Sequence, residues 1–159
     1  MSFRRLIFIL LCLIFLFGFD KPLKVGDKPP EFFLSDLSGK LVSLYQFKGK
    51  IVIISFWSDS CHKNGMPLID DLLFNKYKER GLAILAINAG QPKRVVEAFL
   101  KGKNMSYPIL LDQRFGAVKQ YGVTSLPMYF ILDREGFVRN RILGEVEIAY
   151  LEKILENLL

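Results

Sequence analysis

The stretch IVIISFWSDSC, residues 51–61, joins a long apolar run to a short polar segment that ends in a cysteine. An apolar run of this length, followed at once by polar residues, predicts a strand that is buried on both faces, as in the centre of a parallel sheet. A helical pattern follows Cys61, and the free amide groups at a helix N-terminus favour a thiolate over a thiol. Cys61 is therefore the candidate reactive residue of this chain.

The rest of the chain alternates short apolar runs with helical patterns. The predicted strands are residues 32–34, 41–44, 51–57, 82–87, 109–111, 128–132 and 137–143. The predicted helices carry the apolar stripes Ile69, Leu72, Leu73 and Tyr77; Val95, Val96, Phe99 and Leu100; and Leu151, Ile154, Leu155 and Leu158. Asp112 is predicted to cap a further helix that runs to Tyr121. Alternation of this kind predicts an α/β domain with a mixed sheet of about five strands flanked by helices, plus an N-terminal β-hairpin extension at residues 32–44.

Length and charge indicate one domain that has no special affinity for nucleic acid. Of the 159 residues, roughly the last 135 have a globular composition, and we expect this domain to span residues 24–159. The net charge is +6, and two of the positive charges belong to Arg4 and Arg5. The other basic residues alternate with acidic ones and form no stripe with interleaved aromatic residues. The sequence therefore does not support nucleic-acid binding.

Residues 1–20 have the pattern of an export signal or a short membrane anchor. Arg4 and Arg5 precede an uncharged apolar segment, residues 6–19, whose 14 residues fall short of the roughly 20 that a spanning helix needs. The only small residue near a cleavage position is Gly18, so both a cleaved signal and a retained anchor stay open. Either alternative predicts an extracytoplasmic protein, and the second predicts association with the membrane. Cys12 lies inside this segment, which leaves Cys61 without a disulfide partner in the domain.

Four stretches resemble the TlpA-like, or redoxin, branch of the thioredoxins, which is related to the AhpC/TSA proteins. They are VGDKPPEF at residues 25–32, GKLVSL at 39–44, the strand that ends in FW at 56–57, and YGVTSLPMYFILD at 121–133. The resemblance covers the chain from about residue 24 to its end. It implies a thioredoxin-like fold and an exported thiol-disulfide oxidoreductase, often membrane-tethered, that acts on protein thiols or disulfides without a cofactor.

The same resemblance assigns roles to particular residues. Cys61 falls on the nucleophilic cysteine, whereas Asn64 falls on the resolving cysteine of the family's motif, so a low-molecular-weight thiol or a partner would have to resolve the intermediate. Two residues are also missing between Cys61 and Met66. In a second alignment register the gap lies before Cys61, so that His62 falls on the resolving position and Cys61 no longer falls on the nucleophile position. The resemblance further implies that Pro127 is a cis-proline facing the reactive cysteine.

Three further positions bear on the site. Leu126, by the same resemblance, presents backbone groups to an extended substrate. Trp57 is expected to pack beside the active-site turn, either as part of the docking surface or as plain core. Ser55 stands where many thioredoxins carry a buried acid or amide, so proton transfer is expected to lack its usual helper.

Two functions stay open on these residues. One is a thiol-disulfide oxidoreductase that acts through the single thiol of Cys61. The other is a non-catalytic thioredoxin-like module that binds or assembles exported proteins. A copper site at Cys61 and His62 lacks a second cysteine, so no metal is predicted. A peroxidase has partial support, because Ser58 fits that branch of the superfamily but Ile54 stands where its proline belongs.

Overall fold

The computed structural model describes residues 22–61 and 66–159. The expectations for residues 1–20, including the apolar segment and Cys12, and those for His62 and Asn64 lie outside these residues. Within the described part of the chain, no helix is long and apolar enough to cross a membrane.

In the described residues, seven strands form one mixed sheet. They are Phe33–Asp36 (β1), Leu41–Ser43 (β2), Ile51–Trp57 (β3), Leu82–Ala89 (β4), Ile109–Asp112 (β5), Met128–Leu132 (β6) and Val138–Leu143 (β7). Their order across the sheet is β2-β1-β5-β4-β3-β6-β7. Strands β3, β4 and β5 run parallel to one another, and all other neighbours are antiparallel. The predicted mixed sheet of five strands with a hairpin extension is confirmed, and the hairpin β1–β2 extends it by pairing β1 with β5.

Strand β3 lies inside the sheet, between β4 and β6. All seven of its residues are buried, which explains why its sequence shows no alternation of apolar and polar residues. It pairs in parallel with β4 along its whole length, from Ile51 opposite Leu82 to Trp57 opposite Asn88. The prediction that these two strands are parallel and interior is confirmed.

Four α-helices of the described residues cover the two faces of the sheet. They are Met66–Tyr77 (α1), Lys93–Leu100 (α2), Gly116–Gln120 (α3) and Ile148–Leu158 (α4), with 3-10 turns at Leu44–Phe47, Asp59–Cys61 and Lys78–Arg80. Helices α1, α2 and α4 share one hydrophobic core with Ile51, Ile53 and Trp57 of β3. Helix α3 and the first residues of the domain, beginning with Leu23, cover the other face.

The apolar stripe predicted for helix α1 was wrong at Leu72. That side chain is 62% exposed, whereas Leu73 and Tyr77 are buried as expected. The residue that shares their buried face is Asp70, three positions before Leu73 and seven before Tyr77. The sequence pattern missed this arrangement because a charged residue was assumed to lie on the solvent side of the helix.

Candidate active site

The candidate site lies at the edge of the sheet where β3 ends and its antiparallel neighbour β6 begins. Residues 58–61 follow the last residue of β3, and Leu126 and Pro127 directly precede β6. Phe56 near the end of β3 pairs with Met128 at the start of β6, so both segments lie at this edge of the sheet. The peptide bond between Leu126 and Pro127 is cis, as the resemblance implied. Pro127 is buried and Leu126 is partly exposed.

The Cys61 thiol is half-buried and free, and it has a hydroxyl neighbour. Cys61 ends the 3-10 turn, and its backbone N–H donates to the carbonyl oxygen of Ser58 at 3.2 Å. Its Sγ lies 3.1 Å from Ser58 Oγ, which in turn lies 2.9 Å from Ser60 Oγ. A serine hydroxyl can donate to a thiolate or accept from a thiol, so Ser58 can stay hydrogen-bonded to Cys61 in either form.

The expected relation between Cys61 and a helix N-terminus falls partly outside the described residues. The thiol belongs to a 3-10 turn, and the described part of helix α1 begins five residues later, at Met66. The intervening residues include both His62 and Asn64, the two positions on which the alternative registers of the resemblance depend.

Trp57 is fully buried and packs against Phe99 of helix α2, with ring centroids 5.5 Å apart. Core packing, one of the two roles expected for this residue, is therefore what the geometry supports. An influence of Trp57 on substrate docking would act through the turn that follows it, because its ring is covered.

Sequence reasoning missed a hydrogen-bonded group that fixes this turn. The side-chain amide of Gln91, in the loop after β4, accepts from the backbone N–H of Asp59 at 3.0 Å and donates to Asp59 Oδ1 at 2.6 Å. Asn88, which is buried at the end of β4, donates to the same Gln91 Oε1 at 2.8 Å. The only local signal at Gln91 was the following proline, which marks the start of a helix and says nothing about Asp59.

A buried carboxyl also lies where none was expected. Asp70 of helix α1 is fully buried and accepts a hydrogen bond from Ser55 Oγ at 2.8 Å. Burial raises the pKa of Asp70 to about 7, and the hydrogen bond from Ser55 partly opposes that rise. The strand carries no acid at this position, but helix α1 brings the Asp70 carboxyl beside Ser55.

Comparisons with known proteins agree with the fold and with the motifs. The model of the AhpC/TSA family matches residues 25–141. The thiol-disulfide oxidoreductase ResA of Bacillus cereus is 34% identical over 144 residues, which cover 89% of this chain and 83% of ResA. The ResA of Geobacillus thermodenitrificans is 35% identical over 136 residues, which cover 84% of this chain and 78% of that protein.

Solved structures show the same architecture. The crystal structure of a putative thiol:disulfide interchange protein DsbE from Chlorobium tepidum has a TM-score of 0.75 and 27% sequence identity, covering 86% of this chain and 99% of that one. The matches extend across β3, the Cys61 turn and β6, which are the elements that build the candidate site. The chain therefore belongs to the AhpC/TSA family of redoxins and has a thioredoxin-like fold, and its relatives include thiol-disulfide oxidoreductases.

Proposed function

We propose that this protein is an exported thiol-disulfide oxidoreductase that acts through the single thiol of Cys61. The observation that carries the proposal is the free, half-buried Cys61 thiol, 3.1 Å from the Ser58 hydroxyl at the carboxyl end of β3. Its relatives at 34–35% identity are thiol-disulfide oxidoreductases by name, and the aligned region spans most of each chain.

The proposed reaction is thiol-disulfide exchange. The Cys61 thiolate attacks one sulfur of a substrate disulfide, a new S–S bond forms to Cys61, and the second substrate sulfur leaves as a thiolate that takes a proton from solvent. The chain has two cysteines, Cys12 and Cys61, and only the second belongs to the domain. An external thiol must therefore attack the mixed disulfide to release Cys61. No cofactor is needed, because the electrons stay within the sulfur bonds.

The proposed substrates are exported proteins that carry thiols or disulfides. Leu126 and Pro127 leave the same edge of the sheet as the Cys61 turn, so an extended substrate segment would lie along residues 125–127 with its sulfur at Cys61. The apolar segment 6–19 supports export, and its retention would tether the domain to the outer face of the cytoplasmic membrane.

Mass spectrometry of the full chain tests this function. Cys12→Ser is introduced throughout, so that every adduct reports on Cys61. On incubation with oxidised glutathione, we expect a glutathionyl adduct on Cys61 that persists until dithiothreitol is added. A chain that also carries Cys61→Ser is the control and should form none. A Cys61 thiol that stays unmodified in the folded chain, yet reacts after denaturation, would contradict the proposal.

The second candidate is a non-catalytic binding or assembly module, which the single cysteine of the domain favours. A module of this kind binds its client through the groove beside Leu126 and needs no sulfur. It predicts that Cys61→Ser leaves client binding unchanged. The oxidoreductase predicts that the same substitution abolishes covalent capture of a client that carries a disulfide.

A further inference from the structure

The side-chain amide of Gln91 makes three hydrogen bonds, and their directions fix the orientation of the amide. Its oxygen faces two N–H donors, the Asp59 backbone at 3.0 Å and Asn88 Nδ2 at 2.8 Å. Its nitrogen faces an acceptor, Asp59 Oδ1 at 2.6 Å. Reversing the amide would place its NH2 group against two N–H donors and its oxygen against a carboxylate oxygen. Gln91 is therefore held in one orientation, and Asp59 is bound through both its backbone and its side chain.

The base of this arrangement is rigid. Asn88 lies on β4 opposite Trp57 of β3, and it is buried. Gly90 comes just before Gln91 with φ of +77°, and a Cβ at this position would collide with the ring of Phe115. The left-handed conformation favours glycine at this position of the turn before Gln91.

Asp59 is the first residue of the turn that ends at Cys61. Its neighbour Ser58 contacts both the Cys61 amide, through its carbonyl oxygen, and the Cys61 thiol, through its hydroxyl. The hydrogen bonds from Gln91 that fix the position of Asp59 therefore also fix the start of the turn. They thereby fix the position of the Cys61 sulfur relative to the Ser58 hydroxyl.

We propose that Gln91 is a positioning residue for the Cys61 thiol, acting through Asp59 from a loop 32 residues away in the sequence. This inference rests on the proposed function of Cys61 in thiol-disulfide exchange. Gln91 takes no part in the bond changes. Its hydrogen bonds hold the turn at residues 59–61 against the end of β4, so that the Cys61 sulfur meets an incoming disulfide in one geometry. Loss of that geometry slows attack, because a displacement of about 1 Å can lower a rate by two orders of magnitude.

Substitutions that change the charges of residues 91 and 59 test whether Gln91 positions the turn. Gln91→Glu keeps the size of the side chain and its ability to accept both N–H donors, but it places a carboxylate against that of Asp59. We expect this variant, in the Cys12→Ser background, to form the Cys61–glutathione adduct about tenfold more slowly. Adding Asp59→Asn to the variant restores a donor opposite the new carboxylate, so the double variant should return to within about twofold of the starting rate. Gln120→Glu, on the exposed surface of helix α3, is the control for the change in charge.

Two further measurements distinguish the loss of the Gln91–Asp59 hydrogen bonds from a general loss of folding. Repulsion between the two carboxylates should move residue 91 away from the turn, so hydrogen exchange at the Asp59 amide should be faster in Gln91→Glu than in the starting protein and the double variant. Urea unfolding should show that all variants are folded under the assay conditions. An adduct rate in Gln91→Glu equal to that of Gln120→Glu, or a slow rate that Asp59→Asn does not rescue, would overturn the inference.

Failure of the proposed function gives a different pattern. If no variant forms an adduct, Cys61 is not an exchange thiol. The exchange at the Asp59 amide, together with the rate at which iodoacetamide alkylates Cys61, then decides whether Gln91 still positions the turn. Equal amide exchange and equal alkylation in the starting protein and Gln91→Glu would show that Gln91 does not position the turn.

Discussion

The Asp70 carboxyl is the most unusual single group in the described part of the molecule. It is fully buried, and Ser55 donates to one of its oxygens while the other has no hydrogen-bond partner among the described residues. A buried carboxylate with one donor is poorly solvated, and for that reason burial raises its pKa to about 7. The group is therefore partly protonated near neutral pH.

Asp70 should make the stability of the domain depend on pH. Between the unfolded pKa near 4 and the folded pKa near 7, the folded state binds a proton that the unfolded state has released. Stability should therefore be highest at the acid side of this range, fall as the pH rises towards 7, and level off above it. The full loss is about 4 kcal/mol. Urea unfolding at several pH values from 4.5 to 8 measures it.

Asp70→Asn provides the matched variant, because an amide keeps an acceptor for Ser55 and does not ionise. We expect this part of the pH dependence to disappear in Asp70→Asn and the variant to be the more stable protein at pH 8. Glu135→Gln, on an exposed turn, should keep the wild-type dependence. Parallel curves for the wild type and Asp70→Asn would show that Asp70 does not titrate differently in the folded state.

Asn64 is the residue whose replacement should change the fate of the mixed disulfide. In Asn64→Cys, the introduced thiol would attack Cys61 in the glutathione adduct, form an internal disulfide and release glutathione. An intramolecular thiol has an effective concentration in the millimolar range, so the adduct should disappear faster without external thiol. The decay of the adduct mass over time measures the change.

Asn64→Ser, which adds no sulfur, is the control for Asn64→Cys. Equal lifetimes in the two variants would show that residue 64 does not reach Cys61.

At the level of elements, the first turn of helix α3 is hydrogen-bonded to a side chain at the end of the preceding strand, β5. The two carboxylate oxygens of Asp112 accept from the backbone N–H groups of Gly116 at 2.7 Å and Val118 at 2.8 Å. The sequence predicted that Asp112 caps this helix. Its carboxylate does bind N–H groups of the first turn, but the helix begins at Gly116 and the residue at its N-cap position is Phe115. A helix of five residues is too short to be stable by itself, so its cap and its packing hold it in place.

Removing this cap should destabilise the domain. Asp112→Ala removes an almost fully buried carboxylate and leaves the N–H groups of Gly116 and Val118 without their acceptors. We expect a loss of about 2–4 kcal/mol in the free energy of unfolding. Asp112→Asn keeps one acceptor oxygen and should lose about half as much. Urea titration checks both, and an Asp112→Ala variant within about 0.5 kcal/mol of wild type would contradict the capping role.

For the whole molecule, the folded domain begins very close to the apolar segment. Leu23 is already buried in the core beside Phe32 and Val42, so only residues 20–22 separate it from the segment 6–19. Three residues span at most about 10 Å. If the segment is retained as an anchor, the domain must therefore lie directly at the membrane surface.

Export itself should be visible with a fusion protein. Residues 1–30, fused to a phosphatase that is active only outside the cytoplasm, should give activity, because two arginines before an apolar segment are the pattern of an export signal. Leu11→Arg places a charge in the middle of that segment and should abolish the activity at equal expression. An inactive fusion that is expressed normally would count against an extracytoplasmic location.

The interior strands and the place of Cys61 followed from the sequence by itself. Strands β3, β4 and β6 are buried on both faces, and such burial leaves an unbroken apolar run that cannot be mistaken for a solvent-exposed segment. Cys61 comes directly after the first of these runs, so its position at one edge of the sheet follows from the chain order. The hairpin was also predictable, because a glycine turn separates two short apolar stretches.

The polar partners were decided only by the tertiary structure. Gln91 meets Asp59 across 32 residues, and Ser55 meets Asp70 across 15. Hydropathy patterns record which face of an element is buried, but they do not record which polar group lies opposite it on another element. A buried acid and a loop amide therefore look like surface residues in the sequence. Only the packing of helix α1 and of the loop after β4 against the end of β3 brings these groups together.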